Sequence, residues 1–379
     1  MPLIRILNIV TQMNQAGMEN RLMDIYNEIN TDIIQFDFYT FRKEKGDYDS
    51  IINMMGGKLY YNSPISVLNI IKRYKELSSF LKNHPEYKIV HCHMNQWSGL
   101  LLKGAKDAGV GVRIAHSRTA LNKISIKNII KNLIKTPTNK YANYKFAVSD
   151  KAGKWLFGNK TVIGKDYYVI PNAIDCNRYR FDESIRIQIR NCLNINNDFI
   201  VMHVGNIRPE KNHKFLLKIF TEILKIKSNA KLYIVGKDYM NGEIQKEAQK
   251  YGIDKYIYFL GQRSDVDKLL QIADAFVFPS IYEGFPGAVL EAQASGLPCY
   301  ISDVITSDVC ITDLVTKLSL NLKPEIWAEK IINFVSINRE SAADKLIEKG
   351  YDISSVAMFY QNFYEKVFDD DIKETFNVD

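Results

Sequence analysis

Along the chain, apolar and polar positions fall into two alternating patterns. Short apolar runs at Ile4–Val10, Ile33–Tyr39, Lys88–Cys92, Val112–Ala115 and Phe146–Val148 read as buried strands. Between several of them apolar residues recur at helical spacing, as at Ile65–Leu81. After Ile170-Pro171-Asn172 the rhythm stops, and a polar stretch to about Asn197 reads as a hinge and domain boundary. It restarts with strands at Ile200–Val204, Lys231–Val235, Tyr256–Leu260 and Ala275–Phe278, and with helices at about Lys214–Lys225, Glu243–Tyr251 and Val266–Ile272. Strands alternating with helices predict parallel, doubly wound sheets, so the chain is expected to be α/β with two Rossmann-like domains, 1–175 and 176–352. In the remaining stretch, 353–379, a helix over Ser354–Phe368 carries Phe359, Tyr360, Phe363, Tyr364 and Phe368 on several faces and therefore has to be packed. The acidic residues after it, including Asp369-Asp370-Asp371, are expected to form a solvated tail.

The run Ala275–Phe278 leads into Ser280-Ile281-Tyr282-Glu283-Gly284-Phe285-Pro286-Gly287, and a helical stretch follows that stops at Gly296 before Pro298. Gly284 and Pro286 keep Glu283 and Glu291 off one continuous helix, so Glu283 belongs to the loop and Glu291 to the first turns of the helix. Ligands bind at the carboxyl ends of strands in open α/β sheets, and the free N–H groups at a helix start suit an anion. The plainer reading is an acidic residue near a positive helix end, worth up to about 1 kcal/mol.

A second turn of the same kind is Val204-Gly205-Asn206-Ile207-Arg208-Pro209-Glu210-Lys211-Asn212-His213. Two cations beside a helix start suit a diphosphate, and they neutralise it without a metal. In the first half, Gly17 interrupts the loop after the first strand, but no G-x-G-x-x-G is present, so a dinucleotide fingerprint is lacking. His91, His93 and His116 end two further strands; such residues are either hydrogen-bonded structural histidines or members of a site at the sheet edge. In Asn122–Lys140, Lys123, Lys127, Lys131 and Lys135 recur every four residues beside Ile126, Ile129, Ile130, Leu133 and Ile134. That pattern fits a basic amphipathic helix on an anionic membrane surface, and equally an ordinary surface helix packed on the core.

Composition changes this picture little. At 379 residues, 46% hydrophobic and 25% charged, the chain is an ordinary globular protein large enough for two cores. A formal charge of +7 is modest and fits nucleic acid, a membrane surface or phosphorylated ligands until it is located; no nucleic-acid partner is expected. Five scattered cysteines, Cys92, Cys176, Cys192, Cys299 and Cys310, form no C-x-x-C pair and fit a reducing compartment. Arg5 and Asn8 interrupt the first apolar run, so neither a signal peptide nor a membrane span is expected, and the predicted location is the cytoplasm. Peripheral contact with the inner face of the plasma membrane would run through Asn122–Lys140.

Several of these residues together resemble a known family. Val204-Gly205 followed by Pro209-Glu210-Lys211-Asn212, then Phe259-Leu260-Gly261 with Asp265-Val266, then Pro279-Ser280-x-x-Glu283-Gly284-Phe285-Pro286 with Glu291-Ala292, are similar to family 4 of the retaining glycosyltransferases. The resemblance is dense over the C-terminal half and looser before it, through Gly17 and Glu19, His91-Cys92-His93 and Ala115-His116-Ser117. It implies a GT-B fold, two Rossmann-like domains facing across a cleft, with the last helix, in 353–379, crossing back to the first.

The resemblance also implies the site. Lys211 would hold the diphosphate of a nucleotide-sugar donor, Glu291 the ribose hydroxyls, and Glu283 with the Phe285, Pro286 and Gly287 backbone the donor sugar. Gly236, Gln262 and Arg263 would lie near the base, Gly17 near the phosphates, and His116 at the donor sugar and reaction centre. Lys211, Glu283 and His116 are thus the expected catalytic residues, with no metal and no further cofactor. Retention of configuration is implied as well, here expected without a covalent intermediate and with the leaving phosphate helping to deprotonate the acceptor. One position departs from the family pattern: arginine commonly follows the glycine, where this chain has Asn206, with Arg208 two residues on.

The expected activity is transfer of a hexose or N-acetylhexosamine, from a UDP-sugar by preference, to a glycan acceptor, lipid-linked, in surface polysaccharide synthesis. Two alternatives keep the fold, a nucleotide-sugar epimerase and a non-catalytic nucleotide-binding partner subunit.

Overall fold

The computed structural model describes residues 2–15, 17–118, 138–195, 197–333 and 339–376. It divides into two compact units, Met1–Ala173 with Ile353–Asp379, and Ile174–Asp352.

The first unit is built on a parallel sheet of β1 (Ile4–Val10), β2 (Ile34–Thr40), β3 (Leu59–Tyr61), β4 (Ile89–Cys92), β5 (Val112–Ser117), β6 (Tyr144–Ala147) and β7 (Tyr167–Val169), in the order β3-β2-β1-β4-β5-β6-β7. Strands covered on both faces have no polar side to show, which is why β1 and β2 read as nearly unbroken apolar runs. The polar Asp37 of β2 is tolerated inside because Arg5 of β1 donates to both of its carboxylate oxygens at 2.6 Å.

The helix Ile353–Phe376 belongs to this unit and packs on the helix Gly17–Glu28. Its aromatic side enters the core: Tyr364 meets Phe36 edge-on, with ring centroids 6.0 Å apart, and Phe363 meets Phe146 at 4.9 Å. The helix is longer than its aromatic pattern, so the expected solvated tail at Asp369-Asp370-Asp371 is corrected to about two more turns of helix, ending at Phe376. The Asp371 carboxylate lies against Gly111, where a side chain would collide with it; burial lowers Arg113 at the start of β5 below its ordinary range, and the Asp371 charge offsets part of that.

In the second unit β8 (Phe199–Val204), β9 (Ala230–Val235), β10 (Ile257–Gly261), β11 (Ala275–Phe278), β12 (Cys299–Ser302) and β13 (Val315–Leu318) lie in the order β10-β9-β8-β11-β12-β13. The stretch expected to be a polar hinge up to Asn197 instead holds the helices Cys176–Tyr179 and Glu183–Cys192, capped by Asp175 and Asp182. Its polarity misleads for a physical reason. Arg186 and Arg190 donate to the carbonyls of Gln271, Ile272 and Ala273, the unsatisfied C-terminal end of the helix Val266–Ile272, and both pair with Asp274.

Asn122–Lys140 lies outside the described residues except for 138–140, which begin the short helix Thr138–Tyr141. Among the described residues no helix is long and apolar enough to cross a membrane.

Candidate active site

In the second unit the chain passes from β8 to β9 and β10 on one side, then returns to β11 on the other, so the loops after β8 and β11 flank the switch point of the sheet. Those loops bring Lys211 and Glu283 together. Lys211 ends the tight turn Pro209–Lys211, after which Asn212 takes a left-handed φ of 58° and opens the helix His213–Ile226. The ammonium of Lys211 donates to Glu283 Oε1 at 2.6 Å and sits 4.6 Å from the centre of the Phe278 ring. Both side chains are mostly buried, at 19% and 13% exposure. The Ile281 amide donates to Glu210 O at 2.8 Å and ties the two loops at backbone level.

Glycines make room around this pair. A Cβ on Gly205 would lie 3.4 Å from Lys211 Cε, so the lysine stem runs over bare backbone. Gly236, after β9, has φ 146°, and a Cβ there would meet Gly205 O at 2.3 Å. Only glycine fits that crossing.

The remaining expected donor-side residues are placed as follows. Asn206, in the position where arginine is common, accepts the Lys237 amide at 3.0 Å and so braces the loop after β9. Arg208 is exposed and lies with its guanidinium 4.1 Å from the centre of the Tyr239 ring. Pro286 precedes the helix Gly287–Ala294, whose start carries no side-chain cap, and Glu291 is half-buried on that helix. Phe285 stacks on Tyr351, with ring planes 5° apart. Gln262 and Arg263 are exposed beyond β10, two strands from β8, and Arg263 is committed to Asp265 at 2.8 and 2.7 Å.

Beneath the pair lie two buried histidines that sequence reasoning missed. His203 donates through Nδ1 to Val277 O at 2.8 Å, which leaves its Nε2 as a bare acceptor; neither nitrogen of His213 finds a partner among the described residues. Burial and the nearby Lys211 charge hold both below the usual histidine range, His213 at about 4. They form a neutral polar floor under a charged pair.

In the first unit Gly17 is exposed at the start of the helix Gly17–Glu28, and a Cβ there would have nothing within 4 Å. Glu19, in the first turn, is raised by burial and partly restored by the charge of Arg118. His116 is fully buried, and so are His91 and His93 within 3%. Arg118 donates to His93 Nδ1 at 3.1 and 3.2 Å, so His93 carries its proton on Nε2 and gives it to Asn8 Oδ1 at 3.1 Å. His91 joins Tyr364 at 2.7 Å and His116 Nδ1 at 3.2 Å, leaving His116 Nε2 with no partner among the described residues.

One ring nitrogen from each of these three histidines lies within 4.8 Å of the other two, a spacing a metal ion could use. The donor set does not fit one well. A guanidinium already occupies one nitrogen, and the hydrogen bonds to Asn8, Tyr364 and His116 take others. Burial and the Arg118 charge hold all three imidazoles well below their ordinary range, so they form a neutral hydrogen-bonded network. Arg118, Asn8 and Tyr364 were not singled out from sequence; the signal for Arg118 is its position two residues after His116, on the same face of an extended chain.

Comparison with known proteins identifies the family and the fold. Residues 185–353 match the family model described as glycosyl transferases group 1. EpsF of Bacillus subtilis, a glycosyltransferase by its name, is 32% identical over 92% of this chain and 93% of its own. CapH of Staphylococcus aureus, a capsular polysaccharide biosynthesis glycosyltransferase, is 26% identical over 88% and 91%. The Escherichia coli UDP-Gal:alpha-D-GlcNAc-diphosphoundecaprenol alpha-1,3-galactosyltransferase is 24% identical over 80% and 83%. Among solved structures, Anabaena Alr3699/HepE in complex with UDP and glucose superposes with a TM-score of 0.74 at 17% identity, over 96% of this chain and all of that one. The chain is a glycosyltransferase of the GT-B fold and belongs to the glycosyl transferases group 1 family.

Proposed function

We propose that this glycosyltransferase moves a hexose or N-acetylhexosamine from a UDP-sugar to a lipid-linked glycan, with retention of configuration, in the assembly of a surface polysaccharide. The observation that carries the reading is the Lys211–Glu283 pair at the switch point of the second unit. An incoming diphosphate competes for the Lys211 ammonium and releases Glu283 toward the sugar. The bond from the anomeric carbon to the phosphate oxygen breaks with its electron pair going to the diphosphate. Lys211 and the uncapped start of the helix Gly287–Ala294 then stabilise the charge that develops there. The acceptor oxygen bonds to the same face of the anomeric carbon and gives its proton to the departing phosphate. Lys211 and Glu283 carry out this scheme with no covalent adduct and no metal.

The names of the relatives support the finer points. CapH is named for capsular polysaccharide, the Escherichia coli enzyme for UDP-galactose and a diphosphoundecaprenol acceptor, and Alr3699/HepE was solved with UDP and glucose. A lipid-linked acceptor calls for a protein that reaches a membrane surface, and the basic pattern of Asn122–Lys140 supports that contact. The test is a thermal-shift panel of UDP-, GDP-, ADP- and dTDP-sugars, followed by transfer from the donor that binds. A UDP-sugar that raises the midpoint and a product of the donor's own anomeric configuration are expected. Stabilisation by another nucleotide alone, or an inverted product, overturns the corresponding part.

A further inference from the structure

Beside β2 and β3 in the first unit lies a pocket of about 510 Å³, within the size range of small-molecule sites, roughly 300 to 1,000 Å³. Its walls are aromatic. Phe80 stands edge-on to Tyr39 and to Tyr60, with ring centroids at 5.2 and 4.6 Å. Tyr39 lies near the carboxyl end of β2, and Asn62 directly follows β3, at the end of a parallel sheet where ligands collect.

The polar side of the pocket is charged and planar. Arg73 and Glu76 project from one face of the helix Ile70–Lys82 and pair through Arg73 Nη1. Arg73 is 9% exposed, and its Nε has no hydrogen-bond partner among the described residues. A buried donor without an acceptor is costly, and a ligand oxygen placed against it would remove that cost. Glu76, which lines the pocket at 36% side-chain exposure, keeps acceptor capacity beyond its pair with Arg73.

Aromatic rings for C–H surface, one buried donor and one carboxylate acceptor side by side suit a pyranose ring with adjacent hydroxyls. We propose that this pocket is a subsite for a sugar unit of the acceptor glycan. The proposal rests on the glycosyl-transfer reading above. The pocket is three to four strands from β5, roughly 14 to 19 Å at ordinary strand spacing, so it takes a unit other than the one whose hydroxyl reacts. Its role is to recognise the length and identity of the acceptor.

The experiment is saturation-transfer NMR on the full chain with methyl glycosides of glucose, galactose and N-acetylglucosamine, and with 4-nitrophenol as a sugar-free aromatic probe. At least one glycoside should bind. Its dissociation constant should rise about fivefold or more in Glu76→Gln and in Asn62→Ala, the latter a half-buried side chain that lines the pocket. Donor hydrolysis should stay at the wild-type rate in both. No glycoside signal, binding of 4-nitrophenol alone, or equal glycoside binding in wild type and both variants overturns the subsite. Absence of both transfer and hydrolysis with every UDP-sugar in the wild type instead overturns the proposed UDP-sugar donor, so the two failures are distinguishable.

Discussion

Lys211 Nζ donates to Glu283 Oε1 at 2.6 Å, and so the loops after β8 and β11 exchange charge before any ligand arrives. The two members should fail differently. Glu283→Gln should lower transfer at least about 100-fold while UDP affinity stays within about threefold, as for a group used in the transition state. Lys211→Met should weaken UDP binding about 10- to 100-fold, the worth of a charged hydrogen bond. Calorimetric titration with UDP and a transfer assay separate the two; equal loss of binding in both variants contradicts the division of roles.

Gly236→Ala should destabilise the protein by about 2 kcal/mol or more, because the new methyl meets Gly205 O and the φ of 146° disfavours any side chain. A urea midpoint equal to that of the wild type would show that the crossing relaxes.

Tyr364→Phe keeps the ring in the core and removes only the partner of His91 Nδ1. It should cost about 1 to 3 kcal/mol in chemical denaturation, the penalty of a buried nitrogen left unpaired. A cost near zero would mean that the His91 network reorganises freely.

Acid should unfold the protein early. His91, His93, His116 and His203 are held well below the ordinary histidine range and His213 at about 4, so the unfolded chain binds protons that the native state refuses. Stability is full above about pH 6.5 and falls as pH drops below it toward 4, by up to about 1.4 kcal/mol per pH unit for each such imidazole. Melting temperatures across that window check the slope, and a flat profile between pH 6.5 and 5 would contradict the buried neutral state.

Replacing Lys123, Lys127 and Lys131 by Glu should release the protein from vesicles containing anionic lipid, since each basic residue near such a surface contributes about 1 kcal/mol. Unchanged co-sedimentation would remove Asn122–Lys140 from the membrane reading.

Much of this was legible from residue order alone. Parallel strands buried on both faces announce themselves as apolar runs, and the turns at Gly205 and Gly284 mark where loops meet at the sheet edge. Side-chain partnerships were not legible. Arg186 and Arg190 look like linker polarity until helix-end carbonyls are seen to receive them. Arg263 looks available for a base until Asp265 is found holding it. His116 reads as a strand-end residue, either structural or part of a site, with nothing to show that His91 and an aromatic helix more than 240 residues away enclose it.

The first unit is discontinuous, and that sets the order in which a ribosome can deliver the two cores. Its sheet is complete at Val169, but Tyr360, Phe363 and Tyr364, which close the space around His91 and Phe146, are synthesised only after the whole second unit. The second unit, continuous from Ile174 to Asp352, can therefore finish first, reversing the usual N-terminal-first sequence. Until the helix Ile353–Phe376 emerges, the nascent N-terminal sheet keeps an open apolar flank. A chain cut at Asp352 would keep the whole second unit and still lack the helix that covers the half of the protein made first.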